Sequence, residues 1–209
     1  MRKFFLTGLI LVSAHLLNAQ VKAITETGEE VFLYDDGTWK YVDNNSTLNS
    51  EIPVNDTKFI KDKNSSFLVK SKKLNFGIWI NPKEWSFTKG TDSDAFEFQF
   101  VLKGEDLYAM LITEKMQIPL ESLKGIALEN AKNVAPDTKI IKEEYRTVNG
   151  IQLLMMQMTG TIQGMRFVYY GYYYSNQNGT VQLLAYTGEN LLKNYVDEIE
   201  LFLNGFVEN

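Results

Sequence analysis

Apolar residues recur along this chain at two different periods, and the places where the period changes divide it. In residues 20–42, QVKAITETGEEVFLYDDGTWKYV, Val31 and Leu33 precede Asp36-Gly37, and Trp39 and Tyr41 follow it. Each pair is spaced by two, the period of a strand. Asp-Gly between such runs is a hairpin turn. With Thr27-Gly28 as another turn, the stretch predicts a small three-stranded β-meander. Asp35-Asp36-Gly37 starts like a calcium loop but lacks the further acidic positions and the closing Glu of that motif, so turn chemistry accounts for it. Residues 43–66, DNNSTLNSEIPVNDTKFIKDKNSS, lose the alternation and read as a polar linker.

Alternation returns at Phe67. Phe67–Ile80 is β-prone, and Asn81-Pro82-Lys83-Glu84-Trp85 turns into the next strand. Phe96, Phe98, Phe100 and Leu102 face one way, with Glu97 and Gln99 opposite. Leu107, Ala109 and Leu111 oppose Tyr108, Met110 and Ile112, so both faces of that strand are apolar and a central, covered position is expected. From Pro119 to Val134 the spacing lengthens to three and four, at Leu120, Leu123, Ala127 and Ala131, which predicts a one-faced helix. Lys139–Thr147 predicts a charged strand nearer an edge. Ile151–Thr161, Met165–Tyr174 and Thr180–Tyr186 predict three more, joined through Gln163-Gly164 and Asn178-Gly179. Glu189–Val207 predicts a closing helix with Phe202 and Phe206 on its apolar face and Asp197 on its wet one.

The first 19 residues follow neither period. Arg2 and Lys3 precede the apolar run Phe4–Leu17, and Asn18-Ala19 supplies a small-residue exit. This is the layout of an export leader, with cleavage expected after Ala19. The run is shorter than the roughly 20 residues that cross a bilayer as a helix, so no membrane insertion is expected once the leader is removed. The loss of Arg2 and Lys3 moves the formal charge from -5 to -7. An acidic chain argues against nucleic acid, whose phosphates need a basic surface. The expected location is outside the cytoplasm, in the periplasm or secreted. The expected domains are the leader at 1–19, the meander at 20–42, the linker at 43–66 and a main domain at 67–209.

The main domain's order is strands, a helix, several antiparallel strands and a long terminal helix. Together with Gly77-Ile78-Trp79-Ile80-Asn81-Pro82-Lys83-Glu84-Trp85, and with Val148-Asn149-Gly150 leading into a long hairpin, it resembles the PsbP-like and DcrB-like families over about residues 67–207. The resemblance implies an α+β fold, an antiparallel sheet sandwiched between helices. It also implies scaffolding or partner-binding roles, and it carries no catalytic motif to this chain. Tyr34-Asp35-Asp36-Gly37-Thr38-Trp39 looks like a short segment that recurs in exported bacterial proteins.

The chain has no Cys, and its single His is His15, within the leader. The mature chain therefore offers neither a Ser-His-Asp or Cys-His relay nor a His/Cys zinc site, and no cofactor, metal or catalytic residue is assigned. The candidate partner-binding face lies in Met165–Tyr174. There Arg166, Tyr170, Tyr172 and Tyr174 share one side of a strand with Val168. Tyrosine pairs flat contact area with a hydroxyl, which suits binding, but an ordinary aromatic strand covered by the closing helix is the preferred reading of this stretch. Met155, Met156, Met158 and Met165 are read as core packing rather than a thioether metal site. Glu97, Glu114, Glu143 and Glu144 are carboxylates that a glycosidase-like hydrolase would need in a facing pair. The preferred reading is an exported, non-enzymatic binding or assembly-accessory protein whose partner is an envelope protein or a glycan. The alternative is a carboxylate-based hydrolase of envelope polysaccharide. Intact-mass measurement of the exported protein is expected to show a chain beginning within a few residues of Gln20; full-length protein embedded in membrane would overturn the leader.

Overall fold

The structure, a computed structural model, describes residues 21–25, 30–34, 37–41, 52–91 and 95–208. The expected leader, the turn residues Thr27, Gly28, Asp35 and Asp36, and the linker as far as residue 51 lie outside the described residues. The elements are β1 (Val21–Ile24), β2 (Glu30–Leu33), β3 (Trp39–Tyr41), β4 (Val54–Phe59), β5 (Phe67–Lys70), β6 (Phe76–Ile80), β7 (Trp85–Lys89), β8 (Phe98–Leu102) and β9 (Tyr108–Glu114). There follow α1 (Leu120–Val134), β10 (Lys139–Val148), β11 (Ile151–Ile162), β12 (Met165–Asn176), β13 (Gly179–Gly188), a 3-10 turn (Glu189–Leu191), α2 (Leu192–Leu203) and β14 (Phe206–Glu208).

The alternating segments assemble into one eight-stranded sheet of order β4-β10-β11-β12-β13-β9-β8-β7. Two tight turns set the register of its long central strands. Asn149-Gly150 and Gln163-Gly164 both take positive φ, so Val148 pairs with Ile151 and Ile162 with Met165. Such two-residue turns match the right-handed twist of the strands they join. From there the pleat assigns each residue to a face. Met155, Tyr170, Tyr172 and Leu183 fall in the core on one side; Leu154, Met156, Tyr173 and Leu184 fall in the core on the other. β1, β2 and β3 form the expected three-stranded meander, and Ile24 packs against the second of these cores.

Several expectations are corrected. The sheet is not sandwiched between helices. α1 packs on β11 and β12 of one face, through Leu123 and Ala127. The other face is covered jointly by α2 and a second sheet, β14-β6-β5, whose Val69, Phe76, Ile78 and Phe206 share a core with Ile199, Phe202 and Leu203. Alternation in Phe67–Ile80 identified strands without saying which sheet they join. The main sheet is also not wholly antiparallel, because β4 lies parallel to β10.

Part of the expected linker joins the main sheet. Residues 54–59 form that edge strand, where a polar sequence suits one exposed flank. The closing helix stops at Leu203 rather than Val207. Gly205 passes so close to the Trp79 carbonyl that a Cβ there would sit 2.0 Å from its oxygen, and the chain leaves as β14 to pair with β6. Phe206 and Val207 thus belong to a strand although their spacing also fits the helix. Pro119 stands at the N-cap of α1, one position before the first turn.

Phe202 anchors α2, its ring 4.2 Å from that of Trp85 and 5.1 Å from that of Phe100. Replacing it, Phe202→Ala, is expected to cost about 3–5 kcal/mol, whereas Asp197→Ala on the exposed flank should stay within about 0.5 kcal/mol. Equal urea midpoints for the two variants would refute the assigned face.

Candidate functional site

The candidate face of β12 is for the most part interior. Tyr170 and Tyr172 are each 1% exposed and lie beneath α2. Arg166 is exposed at one end of the strand and Tyr174 half-buried near the other, roughly 26 Å away at 3.3 Å per residue. The four residues therefore form no single surface. Arg166 pairs with Glu189 through Nε at 2.6 Å and Nη2 at 2.9 Å. Tyr174 packs its ring against Phe206 and donates to Glu208.

A buried cation that the sequence reading passed over organises this side of the sheet. Arg146 of β10 is 3% exposed. Its Nε donates to Glu144 at 2.6 Å, its Nη1 to Tyr172 Oη at 3.2 Å, and Nη1 and Nη2 to Glu200 of α2. The guanidinium also lies over the Phe59 ring of β4, 4.4 Å from its centroid. Tyr170 donates to Glu200, Tyr172 to Asn204, and Asn55 of β4 to Glu144. Burial works against the Arg146 charge, but Tyr172, Tyr170 and Glu144 outweigh it and hold the group protonated. Burial would raise Glu144, yet the Asn55 amide and Arg146 prevail and lower it. Burial pushes Tyr172 up to about 12, against the pull of Arg146, and burial with the bond to Glu200 raises Tyr170.

The carboxylates weighed for hydrolysis have other work. Glu97 is buried and accepts from Ser71 Oγ, the Lys72 amide and Thr113 Oγ1. Glu143 is clamped by Lys124 of α1 at 2.6 Å, and Glu144 belongs to the Arg146 network. Glu114 is exposed at the end of β9. Met155, Met156 and Met158 are core, and Met165 is exposed.

The opposite face of β12 carries a surface that the sequence reading did not single out. Tyr169, Tyr186 and Tyr108 are direct cross-strand partners on β12, β13 and β9. Tyr108 and Tyr186 stack at 5.6 Å with planes 23° apart, and Tyr169 lies 5.8 Å from Tyr186. All three are only partly buried. Burial raises the Tyr169 pKa. Where the row meets the 3-10 turn there is a cleft of about 590 Å³, with Tyr108, Met165, Phe167 and Leu191 as apolar walls and Asp106 and Asn190 among its polar groups. Arg166 and Glu189 also line it. Tyr186 was recognisable as a strand residue, but its pairing with Tyr108 joins positions 78 residues apart. No turn in the sequence announces that pairing.

Neither a protein-family model nor a curated protein matches the sequence. Solved structures do. Cyanobacterial PsbP (CyanoP) from Synechocystis sp. PCC 6803 superposes with a TM-score of 0.55 at 11% identity, over 68% of this chain and 92% of that one. The fold is PsbP-like. Other similar structures are LpqN of Mycobacterium tuberculosis, described as involved in cell envelope biogenesis (TM-score 0.45, 13% identity, 63% of this chain and 82% of that one), and PA94 of Pseudomonas aeruginosa, a putative regulator (0.44, 12%, 68% and 96%). No helix of this chain, among the described residues, is long and apolar enough to cross a membrane.

The buried tyrosines give a pH dependence. In an unfolded chain tyrosine ionises near 10, while Tyr170 and Tyr172 are raised in the folded protein, Tyr172 to about 12. The stability that comes from keeping them neutral is fully present below about pH 10 and is lost as pH rises through the folded values. Alkaline titration is expected to release their tyrosinate absorbance together with the loss of near-UV circular dichroism. Complete ionisation with an intact near-UV spectrum would show that they are not buried.

Proposed function

We propose that this chain is an exported, non-enzymatic binding or assembly-accessory protein of the bacterial cell envelope, and that the cleft beside Tyr108 receives its partner, an envelope protein or a glycan. The leader-like first 19 residues support export to the periplasm or outside the cell. The observation that carries the reading is the cleft itself. It is concave, walled by Tyr108, Met165, Phe167 and Leu191, and fringed by a few polar groups. That is the make-up of a binding site. Its lining ion pair, Arg166–Glu189, is bonded within itself and to Thr159 and serves as a rim rather than as reactive groups.

Arg166 thus keeps a place in the proposed site, in a different role from the one first given to it. Tyr170, Tyr172 and Tyr174 move out of it, since the first two support the core beneath α2 and the third packs on Phe206. The scaffold supports such a role physically, because cross-strand pairing holds Tyr108, Met165 and Phe167 on the sheet, and rigid elements position a site more sharply than loops do.

Crosslinking in the native envelope tests the reading. The wild-type chain is expected to yield an adduct, whether to protein or to polysaccharide, that Tyr108→Ala depletes and Asp197→Ala leaves unchanged. Equal yields from all three would remove the cleft from function. Release of reducing ends from envelope polysaccharide by the purified protein would replace the binding reading with a hydrolase.

A further inference from the structure

We infer that the ligand of this cleft is a neutral oligosaccharide; the inference rests on the reading of the cleft as the binding surface and deepens it. The size comes first. About 590 Å³ of concave space falls within the roughly 300–1,000 Å³ of sites for small ligands, and a flat protein partner needs no such hollow.

The second ground is the wall. The Tyr108 ring is held by stacking on Tyr186 at 5.6 Å, and Tyr186 in turn is flanked by Tyr169. A ring fixed before the ligand arrives costs little ordering entropy on binding. An aromatic face carries partial negative charge, which suits the polarised C–H groups on the flat side of a pyranose.

Charge supplies the third ground. The cleft's lining cation is Arg166, and both Nε and Nη2 are engaged by Glu189. Asp106 and Glu189 then leave the rim with an excess of negative charge, and Asn190 adds a neutral amide. A phosphorylated or uronic ligand would add to that negative charge, and the lining's cation, Arg166, is already paired with Glu189. Hydroxyl groups, by contrast, are donors suited to the Asp106 carboxylate and to the Asn190 amide oxygen. An acyl chain would have to bury its length beside those same polar groups, which is costly.

The test is calorimetric titration of the purified full exported chain with three probes: chitotetraose, cellotetraose and tetragalacturonate. At least one neutral tetrasaccharide is expected to bind and the acidic one to bind at least about tenfold more weakly. Asn190→Ala and Met165→Ala, both at exposed positions, and Tyr108→Ala should each weaken binding of that neutral probe, Tyr108→Ala by about tenfold or more. The first two keep the test valid if Tyr108→Ala fails to fold. Heat from none of the probes, a preference for the acidic probe, or neutral-sugar binding indifferent to all three variants would each overturn the assignment. Should no probe bind while crosslinking to an envelope protein still depends on Tyr108, the saccharide fails and the cleft stands as a protein-binding site.

Discussion

A single buried guanidinium holds the α2 side of this protein in register. Arg146 leaves β10 near an edge of the sheet and meets Glu144 on its own strand, Tyr172 on β12, Glu200 on α2 and the Phe59 ring on β4. Removing one partner of such a buried pair typically costs about 3–5 kcal/mol, while replacing the whole set by apolar groups can be neutral. The value of the network therefore lies in position more than in gross stability. Apolar packing of Phe202 on Trp85 and Phe100 also holds α2, and the polar network adds directional bonds to it. The two tyrosine hydroxyls tie β12 to α2 through Glu200 and to its C-cap through Asn204.

The same network explains the fate of the polar stretch before Phe67. Asn55 donates to Glu144, the Pro53 carbonyl accepts from the Tyr145 amide, and the Lys61 amide donates to Asn149 Oδ1. An otherwise loose segment becomes the edge strand of the main sheet because its side chains and backbone complete bonds that β10 and its turn leave open. Asn149 does double duty. Its positive φ makes the β10–β11 turn, and its amide donates to the carbonyls of Asn204, just after α2, and of Phe206 in β14.

β12 shows how one sequence serves two faces. Its even-numbered tyrosines, Tyr170 and Tyr172, are drawn under α2 by that polar network. On its odd-numbered face, Tyr173 is covered by α1, and Tyr169 begins the row that continues through Tyr186 to Tyr108. Gly171 lies between them, and its missing side chain leaves space for Leu184, whose Cδ2 would stand 2.4 Å from a Cβ there. The cleft lies beside Tyr108, at one end of this row, next to the Arg166–Glu189 pair.

The period of the apolar residues determined most of the local structure. The meander, the strands from β8 to β13, α1, and the sorting of β12 into two faces all follow from spacing and from Gly-containing turns, because a pleat and a helix impose their periods on neighbours in sequence. Tertiary structure alone decided which face would be covered and by what. The closing helix shows the limit: Phe206 fits its stripe, but contact with Trp79 and β6 turns the chain into a strand. The tyrosine row shows it again. Tyr169 and Tyr186 are linked by a hairpin, whereas Tyr108 joins them only because β9 pairs with β13, and pairing between strands distant in sequence is chosen by the packing of the whole sheet rather than by any local signal.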